Sequence, residues 1–296
     1  MHSSAHTPPT EQYDHIVVVG VGLIGGSIAK ALKARRLARK ITGLGRNRTR
    51  LLAAQQAGLI DDVAESASEL TPFDIAVVCT PVDRIPKDVR ALQAIARPAS
   101  LITDAGSVKG PICKALNRSV AKAAQFVGSH PMAGSEQGGW EHADAQLFQG
   151  RTCAITPVDN EESAVRRIEQ FWGSLGMRTV RFQPRQHDQI VALTSHMPHA
   201  AASAIASLLT PEAWPLAATG FRDTTRVASG DAGLWTSILL ENRKAVAERL
   251  NELTLVLRQF VEALEANDSA AVEALLARGQ HARDQWTQSS STGPSS

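Results

Sequence analysis

Two histidine-containing segments carry side chains that could transfer protons. The first, Ser129–Glu136, reads Ser-His-Pro-Met-Ala-Gly-Ser-Glu and follows a predicted strand. The second, Thr194–His199, places His196 and His199 three residues apart, so the two could share a helix face. A histidine with a pKa near roughly 6.5 is largely neutral at pH 7 and can accept a proton. A metal site is the alternative for the second segment, but no cysteine or carboxylate completes a ligand set, so no metal is predicted.

A glycine-rich segment predicts a dinucleotide-binding site. It lies between the apolar run 15–19 and an amphipathic stretch that starts near Leu23. Its glycines permit a tight turn, a close approach of the pyrophosphate and close packing of helix on strand, and the helix N-terminus offers N–H groups to the phosphates. The alternative is a glycine-rich turn that binds nothing. The predicted cofactor contacts here are Gly20, Gly22, Leu23, Ile24 and Gly25.

The next strand-like run bears on the choice of cofactor. NAD sites usually carry Asp or Glu at the end of the second strand. In this sequence Gly45 occupies that position, and Arg46 and Arg48 follow it. Guanidinium groups attract a 2′-phosphate, so the sequence favours NADP over NAD. Alternatively, both arginines are solvated and NAD binds without an acidic partner. Thr80 ends a later strand and is expected to line the nicotinamide side, or else only to form a turn before Pro81.

The elements that must position these residues follow two patterns. Up to residue 183, short apolar runs alternate with amphipathic stretches, which predicts an α/β fold with a Rossmann-like, doubly wound parallel sheet. The predicted strands are 16–19, 41–44, 74–80, 101–104, 126–128, 152–156 and 178–182, and the predicted helices 23–37, 48–57 and 161–175. From 184 to 285 only helical periodicity is seen, chiefly in 190–209, 234–264 and 269–277, which predicts an all-α dimerisation domain. Residues 1–13 and 286–296 are polar and are expected to be a disordered leader and tail.

Composition narrows the possible partners. The formal net charge of +2 gives no reason to expect nucleic acid or an anionic membrane. No apolar stretch reaches the roughly 20 residues that span a bilayer. The three cysteines lie far apart, and Cys79 is expected to be a buried free thiol, which predicts a cytoplasmic location.

The sequence closely resembles the prephenate/arogenate (cyclohexadienyl) dehydrogenase family of tyrosine biosynthesis. The resemblance rests on both histidine segments together with Thr103–Lys109 (Thr-Asp-Ala-Gly-Ser-Val-Lys) and Phe221–Arg226 (Phe-Arg-Asp-Thr-Thr-Arg), in the family's order. It covers roughly residues 14 to 280. It implies oxidative decarboxylation of a cyclohexadienol, with hydride passing to NADP or NAD, in a homodimer formed through the helical domain.

The resemblance also implies roles for individual residues. His130 matches the histidine that draws the proton from the ring hydroxyl, and Ser107 matches a serine that orients the hydroxyl and the nicotinamide. Arg226 matches the arginine that binds a substrate carboxylate. His130 could instead only cap a strand, and Arg226 could pair internally with Asp223. The other implied substrate-pocket residues are His199, Ser135, Glu136, Asp223 and Trp235.

Several points depart from the family or stay open. Gly45 replaces an acidic residue common in NAD-using members, and the connection between His199 and Phe221 is short. We expect neither a regulatory ACT domain after residue 280 nor a fused mutase before residue 14. Prephenate and arogenate are not distinguished. The alternatives are a β-hydroxyacid dehydrogenase or imine reductase-like enzyme, which uses lysine or aspartate for proton transfer, and a non-catalytic NADPH-binding sensor.

Overall fold

An eight-stranded sheet forms the framework of the protein. The computed structural model describes residues 12–116, 124–135 and 137–291. The strand order is β3-β2-β1-β4-β5-β6-β7-β8, and every neighbouring pair is parallel except β6–β7. The strands are β1 (Tyr13–Val19), β2 (Ala38–Leu44), β3 (Asp62–Ala64), β4 (Ile75–Val78), β5 (Leu101–Asp104), β6 (Gln125–Pro131), β7 (Thr152–Thr156) and β8 (Arg178–Arg181).

Helices cover both faces of this sheet. Ile28 of α1, Leu51 of α2 and Phe171 of α5 belong to the core cluster on one face, whereas Val89 of α3 and Ile112 of α4 belong to the cluster on the other. Burial on both sides explains why the central strands are continuously apolar. The predicted doubly wound α/β fold is thereby confirmed. The helices of this part are α1 (Leu23–Ala34), α2 (Arg48–Gln56), α3 (Ile85–Gln93), α4 (Gly110–Leu116) and α5 (Glu162–Ser174).

The strand order reverses beside β1. The chain runs outward from β1 through β2 to β3 and then returns to β4, on the other side of β1. Such a reversal leaves a crevice at the carboxyl ends of the two central strands, which is where open α/β sheets bind ligands. Gly20 and Cys79 directly follow β1 and β4 at this place.

The chain is helical after β8, as predicted. The helices are α6 (Pro184–Val191), α7 (Met197–Ser207), α8 (Thr219–Thr225), α9 (Ala232–Glu241), α10 (Arg243–Glu265) and α11 (Ser269–Ser291). A π turn, Ala192–His196, joins α6 to α7. Pro198 explains it, because proline cannot donate to the carbonyl four residues earlier, and its ring would clash with that carbonyl.

Three predicted boundaries are corrected. Residues 234–264 form two helices, because the chain leaves helical geometry at Asn242, whose buried side chain bonds to other elements. α11 continues to Ser291, so 286–291 of the predicted tail are helical, with the Arg283 guanidinium stacked over the Trp286 ring. β1 begins at Tyr13, the last residue of the predicted leader, because Tyr13 pairs with Ala38 of β2. The rest of that leader up to residue 11, and residues 292–296, lie outside the described residues.

The chain divides into two compact units, one ending at Val246 and one beginning at Ala247. Helices from α6 to α9 therefore belong to the same unit as the sheet, and the domain boundary near residue 184 stays a prediction. The second unit exposes apolar side chains, including Leu255, Val261 and Leu276. No helix in the described part of the chain is both long and apolar enough to cross a membrane.

Candidate active site

A cavity of about 610 Å³ opens at the carboxyl edge of the sheet, within the first compact unit. Its walls come from the glycine loop, the ends of β4, β5 and β6, the π turn with α7, and the segment 226–238. Most of the predicted site residues line it together. These are Gly22, Leu23, Ile24, Gly25, Thr80, Ser107, His130, Ser135, His199, Arg226 and Trp235.

Three predicted site residues are placed differently, and a fourth is not described. Among the described residues that line the cavity, Gly20, Arg46 and Asp223 do not appear. The Asp223 side chain is 70% exposed and accepts from the neighbouring Arg222 at 3.3 Å, so the structure does not bring it to the predicted pocket. Glu136 lies outside the described residues.

The glycine loop has the geometry that a dinucleotide pyrophosphate requires. Gly20 has φ +85°, and a Cβ there would lie 3.1 Å from the backbone of Cys79. A Cβ on Gly25 would overlap the Gly20 carbonyl oxygen, whereas one on Gly22 would meet nothing within 4 Å. Gly22 therefore faces open space. Helix α1 begins with no side-chain cap and no acidic residue in its first turn, so its N–H groups and positive dipole end can meet a phosphate.

Thr80 and Cys79 form the wall beside this loop. The Thr80 hydroxyl donates to Asp88 of α3 at 2.7 Å, so the threonine does more than precede a proline. Cys79, expected to be buried, is half-buried and lines the cavity, because it stands at the strand edge beside Gly20. The other two cysteines are buried free thiols.

A buried ion pair joins the loops that carry Ser107 and His130. Asp104 and Lys109 have fully buried side chains that pair with each other. Lys109 also donates to the Ser129 carbonyl at 2.7 Å, and Asp104 accepts from the Ser129 N–H at 3.0 Å. Breaking such a pair costs about 3–5 kcal/mol, because one charge would remain buried alone. The pair therefore ties the loop that follows β5, which carries Ser107, to Ser129 of β6.

His130 is hydrogen-bonded on the side facing the protein interior. Its Nδ1 lies 2.9 Å from Nε2 of His187, and Nδ1 of His187 lies 2.9 Å from Oδ1 of Asp188. Asp188 also accepts from the N–H groups of Lys109 and Gly110, each at 2.7 Å. Sequence reasoning missed His187 and Asp188, because a histidine next to an aspartate at the start of a helix carries no signal alone.

Burial controls the protonation of His130. Desolvation is the main cause that lowers the pKa of this imidazole well below its usual value, and the nearby His187 and Lys109 lower it further. The imidazole is therefore neutral at pH 7, which is the form that accepts a proton.

The π turn brings a further histidine to the cavity. Nδ2 of Asn242 donates to the carbonyl of Asp188 at 2.8 Å and lies 3.1 Å from Nδ1 of His196. Because only the amide nitrogen can donate to a carbonyl, His196 must accept at Nδ1, and we infer that its proton is on Nε2. Burial lowers the pKa of His196 to about 4. His196 thus lines the cavity as a neutral residue with Nε2–H unpaired among the described residues.

His199 and Trp235 form a stacked pair. Their ring centroids lie 3.5 Å apart, with 14° between the planes. A Cβ on Gly230 would come within 2.6 Å of the indole nitrogen, so glycine is needed beside the pair. Burial lowers the pKa of His199 as well. The stack gives the cavity a flat aromatic wall.

Two arginines line the cavity. Arg226 begins a 3-10 turn after α8 and is the predicted carboxylate ligand. Arg151, just before β7, had no signal in the sequence. Within the described ranges no group of three or more His, Cys, Asp or Glu could hold a metal ion.

Two family models match the chain. Residues 28–181 match the nucleotide-binding domain of prephenate dehydrogenase, and residues 183–278 match its dimerization domain. The chain is 33% identical to the prephenate dehydrogenase of Bacillus subtilis over 81% of this chain and 67% of that protein. It is 30% identical to the cyclohexadienyl dehydrogenase of Zymomonas mobilis over 86% of this chain and 90% of that protein.

A solved structure agrees with these matches. The prephenate dehydrogenase of A. aeolicus, in complex with hydroxyphenyl propionate and NAD+, superimposes with a TM-score of 0.85 at 28% identity. The likeness covers 92% of this chain and 98% of that one. Because the two family models together match residues 28–181 and 183–278, which is most of the chain, this chain belongs to the prephenate dehydrogenase family.

Proposed function

We propose that this chain catalyses the oxidative decarboxylation of prephenate, arogenate or both, with a nicotinamide dinucleotide as oxidant, in tyrosine biosynthesis. One observation carries the proposal. A single cavity contains the uncapped start of α1, the buried neutral His130 and the cation Arg226. These are the groups needed to hold a dinucleotide, accept a proton and bind a carboxylate.

The glycine loop fits the cofactor, since Gly22 leaves room for the pyrophosphate and the first N–H groups of α1 can donate to it. When bound, the nicotinamide supplies a hydride acceptor. Thr80 and Ser107 line the cavity beside the loop. We propose that they position the nicotinamide next to the substrate carbon that bears the hydroxyl.

His130 is proposed to accept the proton of the substrate hydroxyl and later to return it. As hydride leaves the ring carbon, the hydroxyl on that carbon passes its proton to Nε2 of His130 and becomes a carbonyl. The C–C bond to the ring carboxylate then breaks, carbon dioxide leaves, and the bonding electrons make the ring aromatic. The oxygen, now a phenolate, takes the proton back from His130. Prephenate and the oxidised cofactor thus give 4-hydroxyphenylpyruvate, carbon dioxide and the reduced cofactor, with no net proton released.

The remaining cavity groups are proposed to bind the substrate. Arg226 offers a planar set of N–H donors suited to a carboxylate. The flat face of the His199–Trp235 stack suits a six-membered ring. Ser135 lies at the exposed rim and is proposed to contact the side chain of the substrate.

We also propose a preference for NADP. Gly45 directly follows β2 and carries no charge, and the next residue, Arg46, is exposed. Arg48 pairs with Glu65 at 3.2 Å, so Arg46 is the better candidate for a 2′-phosphate. The structure of the A. aeolicus relative contains NAD+. Membership of the family therefore does not by itself favour NADP over NAD.

A homodimer is proposed through the helical segment. Residues 183–278 match a dimerization domain, and the unit from Ala247 onward exposes apolar side chains on α10 and α11. Exposed apolar area of this kind marks protein–protein contact surfaces.

The two alternative functions are less well supported. A β-hydroxyacid dehydrogenase or imine reductase would not explain the matches over 28–181 and 183–278. A non-catalytic sensor would have no use for a proton acceptor buried beside the dinucleotide loop.

Initial-rate measurements test the proposal. Reduction of NADP+ and NAD+ is followed at the absorbance of the reduced nicotinamide, with prephenate and with arogenate as separate substrates. Turnover of at least one cyclohexadienol is expected. Cofactor binding without turnover of either substrate would favour the sensor and remove the proposed activity.

A further inference from the structure

The second nitrogen of His130 determines what the first can do. A neutral imidazole carries one proton, so Nε2 can accept only if that proton is on Nδ1. In this structure Nδ1 of His130 lies 2.9 Å from Nε2 of His187, with the two rings edge to face. One of these two nitrogens must donate to the other.

Asp188 decides which one donates. Its carboxylate accepts from the backbone N–H groups of Lys109 and Gly110, and its Oδ1 lies 2.9 Å from Nδ1 of His187. Because Oδ1 already accepts from Lys109 and Oδ2 from Gly110, both oxygens act as acceptors, and Oδ1 faces His187 as an acceptor. His187 must then carry its proton on Nδ1, which leaves its Nε2 bare. The bare Nε2 can only accept from Nδ1–H of His130.

We propose that His187 and Asp188 are positioning residues that fix His130 in the Nδ1–H tautomer and stabilise the imidazolium formed during the reaction. The inference rests on the proposed function for its kinetic part only. When His130 takes the substrate proton at Nε2, its Nδ1–H points along the hydrogen bond toward His187 and the carboxylate of Asp188. The same bond holds the ring in place before and after the transfer.

The place of Asp188 is itself fixed. A Cβ on Gly110 would lie 2.7 Å from Oδ2 of Asp188, so only glycine allows the carboxylate to come this close. The carbonyl of Asp188 accepts from Asn242, which ties it to the end of α9. Asp188 is thus bonded both to the loop that carries Ser107 and to the helical segment.

Two substitutions separate positioning from simple packing. His187→Gln can place its amide oxygen near the position of Nε2, so it can still accept from His130 but cannot become charged. His187→Leu fills similar space and accepts nothing. His142→Gln is the control, because His142 is exposed and does not line the cavity.

The first measurement needs no activity. In protein labelled with ¹⁵N at histidine and free of cofactor, two-bond ¹H–¹⁵N correlations report the tautomer of each neutral ring, and His130→Asn assigns the signal. We expect Nδ1–H for His130 in the wild type, in His187→Gln and in His142→Gln, and loss of this preference in His187→Leu. An Nε2–H signal for His130 in the wild type would overturn the proposal.

The second measurement is kinetic. We expect kcat to fall by about tenfold in His187→Gln and by about 10²–10³ in His187→Leu, with little change in KM for either substrate. Circular dichroism checks that each variant is folded. Folded variants with wild-type kcat would overturn the proposal. A wild type that turns over no cyclohexadienol would refute the proposed function instead, while the tautomer measurement would still test the hydrogen-bond chain.

Discussion

Replacing Gly45 by aspartate should exchange the cofactor preference. Gly45 follows β2, is half-buried and is not in the left-handed region, so a side chain causes no backbone strain. A Cβ there would meet only Leu51, at 3.7 Å, which is ordinary contact. The substitution therefore adds a carboxylate at the proposed ribose end of the site without a steric clash.

The size of the effect follows from charge. Two unit charges about 4 Å apart interact by about 4 kcal/mol at the dielectric of a protein surface. Salt and solvent at a half-buried position leave roughly half of this, or about 30-fold weaker use of NADP+. With NAD+, hydrogen bonds from the ribose hydroxyls to a carboxylate contribute about 1.5 kcal/mol, or roughly tenfold. The ratio of kcat/KM values should shift by about 300-fold toward NAD+.

The assay compares kcat/KM for both cofactors at saturating cyclohexadienol. Gly45→Ala is the matched control, because it adds the Cβ without the charge, and its ratio should stay within about twofold of wild type. If Gly45→Asp and Gly45→Ala give the same ratio of kcat/KM values for the two cofactors, the cofactor ribose is not bound at the end of β2. A wild type that prefers NAD+ would refute the NADP proposal directly.

Three further predictions follow from the site. His130→Asn should lower kcat by about 10²–10⁴ while the cofactor Kd, measured by fluorescence titration, stays unchanged; an unchanged kcat would remove His130 from the mechanism. Gly110→Ala should lower the Tm, at a cost of about 1–3 kcal/mol, because its Cβ would press on the Asp188 carboxylate; a Tm equal to wild type would contradict that contact. Burial lowers the pKa of His196 to about 4, against about 6.5 unfolded, so stability is full above about pH 6.5 and falls as the pH drops toward about 4. Thermal melts between pH 7.5 and 4.5 should show that Tm falls with decreasing pH, and that it falls less in His196→Asn than in the wild type. An equal fall of Tm in both proteins would exclude His196 as a cause.

The sheet could be predicted because each buried strand is a continuous apolar run, and all seven predicted runs overlap strands. β3 could not, since it has three residues and begins with Asp62. The sequence predicts one helix where the structure has 232–241 and 243–265, because the apolar periodicity continues across Asn242. That break depends on a hydrogen bond to Asp188, which is 54 residues away in sequence. The expected cytoplasmic location stays a prediction.

The site could be predicted where a residue stands inside a motif. The glycine loop, Ser107, His130, His199 and Arg226 all reach one cavity. His187 and Asp188 could not be found this way, because their importance comes from lying behind His130 in space. Asp223 also stands in a motif, but its side chain is exposed and pairs with Arg222, so its predicted role in the substrate pocket stays a prediction.

The hydrogen-bond partners of Asp188 lie far apart in the sequence and are therefore synthesised at different times. A ribosome releases the glycine loop and the sheet long before Asn242, whose amide completes the hydrogen bonds around Asp188 and His196. A chain that ends before Asn242 carries the glycine loop, His130 and His187, but it lacks the amide that bonds to the Asp188 carbonyl and lies beside Nδ1 of His196. The hydrogen bonds around His196 are therefore complete only in a chain that extends at least to Asn242.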